Sequence, residues 1–165
     1  MTKRRKWQVL PGVLALAAAA TVLSAYSGAS SSEGRAPQQP VYYPHPKHVR
    51  AVSDSGIAMN CVYCHYSSNK SPDPGMPAVN TCMGCHTLVQ GRADSSKAQI
   101  KKLAEYWTKK QPVPWVRIHK VPDYVNFPHM RHVNAGVTCQ SCHGQIQNQY
   151  VVGQQASLNM GWCLN

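Results

Sequence analysis

The pattern of apolar and polar positions divides the chain into an apolar start and a polar, proline-rich remainder. Residues 7–26 contain no charged side chain and follow four basic residues at 3–6. A run of about twenty apolar residues is the length that crosses a bilayer as a helix. The basic flank predicts a cytoplasmic N-terminus at 1–6, a transmembrane anchor at 7–26 and an extracytoplasmic remainder.

The ends of this segment carry aromatic residues, as spans often do. Trp7 and Tyr26 would lie at the two membrane interfaces, where amphipathic rings are favoured. A cleaved signal peptide is the alternative, because small residues around Ala29 could form a cleavage site. We expect an uncleaved anchor. The composition of residues 27–40, rich in Ser, Gly, Gln and Pro, predicts a flexible tether before a domain at 41–165.

A second stretch shows helical periodicity. Ile100, Leu103 and Trp107 share one face of a predicted helix that Asp94 or Ser95 would cap and that ends before Pro112. We expect this helix to cover a cofactor edge, with a partner-docking face as the alternative. The segment that follows is punctuated by proline and reads as extended. The sequence therefore predicts a small, mostly irregular fold with short α-helices and one N-terminal transmembrane helix.

Composition narrows the class of protein. The chain has 165 residues with seven cysteines and one Phe, which suggests covalent or metal cross-links in place of a large core. An odd cysteine count argues against a framework of disulfides alone. The formal net charge is +11, but the basic residues are scattered and no helix carries a basic stripe. Nucleic acid is therefore not an expected partner.

Three copies of one motif carry the chemistry. The segments "CVYCH", "CMGCH" and "CQSCH" share the pattern C-x-x-C-H, which is typical of c-type haem attachment. Zinc binding and dithiol redox chemistry are the alternatives, but neither requires a His directly after the second Cys. The motifs predict thioether bonds from the cysteines and proximal iron ligation from the histidines: Cys61, Cys64 and His65; Cys82, Cys85 and His86; Cys139, Cys142 and His143.

The remaining histidines are candidates for the distal side of the irons. The segments at 42–65 and 125–143 repeat one order: an aromatic residue, Pro, His, two residues, His, a short loop and the motif. Two histidines three apart lie on one side of a helical turn but point in different directions, so they can bind two different irons. The distal candidates are His45, His48, His119, His129 and His132.

Closed coordination points to electron transfer. Irons ligated by two histidines have no open position for a substrate, and axial ligands tune their redox potential. The haem propionates would also offset much of the excess positive charge. We therefore expect an electron carrier and not an enzyme by itself.

The paired-histidine module resembles the small multihaem cytochromes of class III. That resemblance implies that the first His of each pair caps the haem of the following motif and the second caps a neighbouring haem. His45 would then serve the haem of His65, and His129 that of His143. His48 would serve the haem of His86. His132 would serve a later haem, and His119 either the haem of His86 or a later one.

Longer segments resemble the pentahaem cytochrome c subunit of alternative complex III. They are "MPAVNTCMGCH" at 76–86, "PWVRIHKVPDYVNF" at 114–127, "FPHMRHV" at 127–133 and "LNMGWCLN" at 158–165, and the likeness covers residues 40–165. The family would continue from Cys163 into a fourth motif and add a fifth. The resemblance therefore implies a C-terminally truncated chain that carries at least three covalent haems and, at full length, five.

The family role sets the expected partners and place. Alternative complex III oxidises quinol in the respiratory chain, and its pentahaem subunit passes electrons onward on the periplasmic side. The implied partners are an iron–sulfur/molybdopterin-like subunit, polytopic quinol-oxidising subunits, a monohaem cytochrome c and membrane lipid. The implied location is the cytoplasmic membrane, with one span. The alternative function is a membrane-anchored multihaem quinol dehydrogenase that takes electrons directly from quinol.

Overall fold

The computed structural model describes residues 3–26 and 33–165, with side chains for 10–23 and 33–165. Within these ranges the ordered elements are short helices, and no β-strand forms. The α-helices are α1 (Lys3–Tyr26), α2 (His45–Val49), α3 (Cys61–Cys64), α4 (Val79–His86), α5 (Asp94–Thr108), α6 (His129–Asn134), α7 (Cys139–His143) and α8 (Met160–Leu164). Two 3₁₀ turns lie at Val52–Asp54 and Ile146–Asn148. The expected small, irregular, short-helix fold is confirmed.

Helix α1 covers the residues of the predicted membrane span. Along the described residues, no helix is both long enough and apolar enough to cross a membrane. Over the predicted span at 7–26 the chain forms a helix, Lys3–Tyr26. The side chains of Trp7 and Tyr26 lie outside the described residues.

The packed core is small and joins α4 to α5. Its buried members are Val41, Met83, Leu103 and Val113, and half-buried side chains such as Trp115 pack against them. Leu103 contributes the apolar face of α5 to this cluster, while Met83 contributes that of α4. The core therefore holds α5 against the helix that carries the second motif.

Helix α5 matches its predicted span more closely than its predicted cap. The helix is preceded by Ala93, whose side chain makes no capping bond, and Asp94 is its first residue. Asp94 instead pairs with Lys97 across 3.1 Å. Leu103 is buried as expected, whereas Trp107 is 48% exposed. The apolar face is thus narrower than the sequence pattern suggested.

Backbone and side-chain hydrogen bonds hold the segment before α2. The predicted tether at 27–40 falls partly outside the described residues, which resume at 33. Within it, Gly34 N donates to Gln154 O at 2.7 Å, and Gln154 N donates to Arg35 O at 3.0 Å. Gln39 bonds both backbone groups of Val116, at 2.9 and 3.0 Å. This part of the chain therefore contacts the domain at 41–165.

Candidate functional site

The three complete motifs lie on three short helices. The cysteines of each motif are three residues apart, so one helical turn brings them to the same side. On α3, Asn60 Oδ1 caps the helix by accepting from Val62 N at 3.1 Å. All seven cysteines are free thiols, and each is half-buried or exposed. Pairs of free, accessible thiols are what two thioether bonds to one haem require.

Two of the proximal histidines are oriented by backbone carbonyls. His65 Nδ1 lies 2.9 Å from Gly75 O, and His86 Nδ1 lies 2.8 Å from Val89 O. A carbonyl can only accept, so Nδ1 carries the proton in both rings. The lone pair of Nε2 is then available for a metal ion, which is the usual arrangement of a ligating His.

The third proximal candidate, His143, is held neutral by burial. Burial, followed by the neighbouring His119, His129 and His65, lowers its pKa to about 4. A neutral imidazole is the form that binds iron. His143 can therefore act as a ligand at neutral pH.

The two halves of the sequence repeat adopt the same local geometry. His48 Nδ1 lies 3.1 Å from Pro44 O, and His132 Nδ1 lies 3.2 Å from Pro128 O. In each case the second His of the pair reaches back one helical turn to the carbonyl of the preceding Pro. Both rings thus present Nε2 away from their own helix.

An aromatic ring completes each half of the repeat. Tyr43 stacks on His48 with ring centres 4.4 Å apart, and Phe127 stacks on His132 at 4.2 Å. The same two rings meet His45 and His129 edge-on, at 4.8 and 4.9 Å. Burial raises the pKa of the Tyr43 phenol, and the thiols of both adjacent motifs add to the rise. Tyr43 therefore lies between the first and second motifs.

The structure brings His48 and His86 together at the spacing expected of two axial ligands. Their ring centres are 6.2 Å apart. Two imidazoles that bind one metal ion from opposite sides, at about 2 Å per metal–nitrogen bond, have ring centres roughly 6 Å apart. His45, the other histidine of α2, lies near His65. Its pKa is lowered to about 4, mainly by burial and next by the charge of His65. The class III resemblance implies the same two pairings, which stay predictions.

Two candidates converge on His143. His119 lies beside it, with ring centres 4.2 Å apart and planes at 76°. His129 is also close enough for its charge to lower the pKa of His143. His119 is therefore placed next to the third motif and not, as one expectation had it, at the haem of His86. The Nε2 atom of His119 is buried and makes no hydrogen bond.

The motifs adjoin one another in an order that differs from the sequence. Burial raises the pKa of the Cys61 thiol, and the Cys139 thiol, which is hydrogen-bonded to it, raises it further. Burial also raises the pKa of Cys82, with the Cys64 thiol adding to the effect. The first motif thus lies between the second and the third.

The lone Cys163 adjoins the third motif. Burial raises the pKa of the Cys142 thiol, and the nearby thiol of Cys163 raises this pKa further. Cys163 is the fourth residue of α8, as Cys82 is the fourth residue of α4. Asn159 Oδ1 caps α8 by accepting from Trp162 N at 2.8 Å. His132, the remaining distal candidate, is exposed on α6.

Taken together, these side chains fit covalently attached haem. The domain provides free thiol pairs and histidines with available Nε2 atoms. It also has two buried ring nitrogens without a hydrogen bond, on His45 and His119. Among the described residues, no three His, Cys, Asp or Glu side chains are grouped closely enough to hold a metal ion by themselves. The ligand cluster that the zinc alternative requires is therefore not found there.

Sequence reasoning missed the groups that orient the ligands. The carbonyls of Gly75, Val89 and Pro72 each accept from a histidine Nδ1, and no residue type marks a backbone carbonyl in advance. The stacking of Tyr43 and Phe127 did leave a signal, because the aromatic residue is part of the repeat. Its position two residues before the first His could have predicted the contact.

The chain resembles a characterised cytochrome subunit. The chain is 32% identical over 106 residues to the protein named menaquinone reductase, multihaem cytochrome c subunit, of Nitratidesulfovibrio vulgaris. The match covers 64% of the chain and 46% of that protein, so the chain spans about half the length of the relative it matches. No protein-family model matches the chain.

Proposed function

We propose that the chain is a multihaem c-type cytochrome that relays electrons between the redox subunits of a membrane quinone oxidoreductase complex. The observation that carries the proposal is the pair His48 and His86, whose ring centres lie 6.2 Å apart beside a C-x-x-C thiol pair. The similarity to a multihaem cytochrome c subunit supports the same conclusion.

The residues have three tasks in this function. The six paired thiols hold at least three haems by covalent bonds: Cys61, Cys64, Cys82, Cys85, Cys139 and Cys142. His65, His86 and His143 bind the irons from the proximal side. The distal candidates close the opposite side, and closed irons exchange single electrons without binding a substrate.

The backbone of the chain sets the orientation of these ligands. Carbonyl oxygens that accept from Nδ1 fix the ring plane and raise the basicity of Nε2, which strengthens a metal–nitrogen bond. Burial keeps His45 and His143 neutral, with pKa values lowered to about 4. A ligand that is already oriented and neutral needs little rearrangement as the iron changes its oxidation state.

The finer assignment follows from the longer sequence resemblance. We place the chain as the pentahaem subunit of an alternative complex III, which implies five haems in the full-length protein. Its partners would be an iron–sulfur/molybdopterin-like subunit, polytopic quinol-oxidising subunits and a monohaem cytochrome c. The haem domain would work on the periplasmic side of the cytoplasmic membrane, in contact with membrane lipid, and would not be an enzyme by itself. The basic start of the chain followed by apolar α1 supports export of the domain.

The test is a haem count combined with spin-state spectroscopy. The chain is expressed with a c-type haem maturation system, and covalent haem is measured by pyridine haemochrome assay and by intact mass. Three complete motifs predict at least three covalent haems, all in the low-spin state. A protein without covalent haem would refute the proposal. A substantial high-spin fraction would instead favour direct quinol oxidation at an open iron.

A further inference from the structure

We propose that the segment at 66–75, which follows α3, orients axial ligands of two different haems and so links their properties. The segment lies between the first and second motifs in the sequence but contacts α6, far along the chain. The inference rests on the proposed function, because it concerns histidines that act as iron ligands. It assigns the segment a positioning role.

The first contact is to His65, the proximal histidine of the first motif. Gly75 O accepts from His65 Nδ1 at 2.9 Å. The second contact is to α6: Pro72 O accepts from His129 Nδ1 at 3.0 Å and from His129 N at 3.1 Å. Met130 N donates to Ser71 O at 3.3 Å, next to these bonds. One segment therefore supports the proximal ligand of one haem and a distal candidate for the haem of His143.

Bonds within the segment tie the two contacts together. Ser67 Oγ donates to Asp73 O at 2.9 Å, and Gly75 N donates to Asp73 Oδ1 at 2.8 Å. Ser71 N also donates to Ser67 O at 2.8 Å. Asp73 stands between Pro72 and Gly75, so a shift of the turn at Asp73 moves both ligand-bearing carbonyls.

Gly75 shows that the turn tolerates little change. Its φ is +73°, a conformation that side chains other than glycine rarely adopt. A Cβ atom at this position would lie 2.6 Å from Ser67 Oγ. A substitution here strains the backbone and also displaces the hydroxyl that holds Asp73.

The second motif provides an internal reference. His86 Nδ1 is held by Val89 O, which lies outside the segment. His48, its expected distal partner, is held by Pro44 O. A change confined to 66–75 should therefore leave the haem of His86 unaffected. Carbonyls that accept from Nδ1 set the orientation and basicity of a ligating imidazole. Both properties should therefore change only in the ligands of the haems of His65 and His143.

The experiment uses the haem-loaded full chain with the substitution Asp73→Ala. Asp73 is exposed, so its truncation removes the bond to Gly75 N at little cost to packing. We expect the low-spin EPR signals and midpoint potentials of two haems to shift together, while those of the haem of His86 stay unchanged. The signals are assigned to haems by comparison with His48→Ala and His129→Ala. Asp73→Asn keeps an oxygen at this position and should restore the wild-type signals.

A matched pair of glycine variants separates ligand positioning from backbone strain. Gly75→Ala should shift the same two haems more strongly than Asp73→Ala does. Gly34→Ala introduces a similar conformational strain, since its φ is +78°, but a Cβ there meets nothing within 4 Å and touches no ligand. Its haem signals should match the wild type.

The outcomes are distinguishable. A shift at one haem alone, at none, or equally at all haems overturns the role of the segment. In each of those results the proposed function still stands if covalent, low-spin haem is retained. Loss of covalent haem from the wild type would instead remove the proposed function itself.

Discussion

Replacing His48 with Ala tests whether the geometry at the second motif is that of an iron site. The ring centres of His48 and His86 are 6.2 Å apart, which matches two opposed metal–nitrogen bonds of about 2 Å each. His45, the only other histidine of α2, lies against His65 and so does not substitute. The variant should therefore open one iron and no other.

The expected magnitude is set by the number of haems. With three haems, one for each complete motif, one third of the haem should become high-spin, and one equivalent of carbon monoxide should bind per molecule. The ferric EPR spectrum and a carbon monoxide titration of the reduced protein measure both quantities. His48→Met should keep the iron six-coordinate and raise its potential, because a thioether ligand favours the reduced state.

His132→Ala is the matched control. His132 has the same carbonyl bond and the same stacked aromatic ring as His48, at 3.2 and 4.2 Å. It is exposed and should serve a later haem, so its loss should leave the haems of His65, His86 and His143 low-spin. If His48→Ala stays fully low-spin, or if the two variants give the same spectrum, the assignment of His48 is wrong.

Three further expectations concern other parts of the chain. His129→Ala should open the iron of His143 to carbon monoxide and lower electron flow through the complex; unchanged flow would put that haem off the electron path. Leu103 is 6% exposed in the core, so Leu103→Ala should lower the free energy of unfolding by about 2–5 kcal/mol, whereas Leu88→Ala, at 87% exposure, should change it little in denaturant titrations. Deleting residues 1–26 behind a cleavable export signal should leave the visible spectrum unchanged, because α1 has no His or Cys, and should leave the haem-loaded domain in the soluble fraction; loss of haem would show that α1 supports the domain.

The sequence predicted the parts of the site that depend on local spacing. Each C-x-x-C-H motif forms a single turn, and the two paired-histidine segments fold alike because both carry the aromatic residue and the Pro. The bond from His129 to Pro72 could not be predicted in this way. It joins residues 57 positions apart and depends on how α6 packs against the segment at 66–75.

One error shows the limit of reading a helix cap from residue type. Asp94 or Ser95 was expected to cap α5. In the structure the carboxylate pairs with Lys97, one turn along, and the helix begins without a side-chain cap.

The small core has a consequence for how the protein is made in the cell. Only Val41, Met83, Leu103 and Val113 form the buried cluster in the described domain, and this is little apolar contact for a chain of this length. We expect the newly exported polypeptide to remain open to proteases until its cofactors are attached. Maturation would then act as quality control, because only a loaded chain becomes compact enough to survive. Pulse-chase degradation in cells that lack the attachment machinery would measure this difference in lifetime.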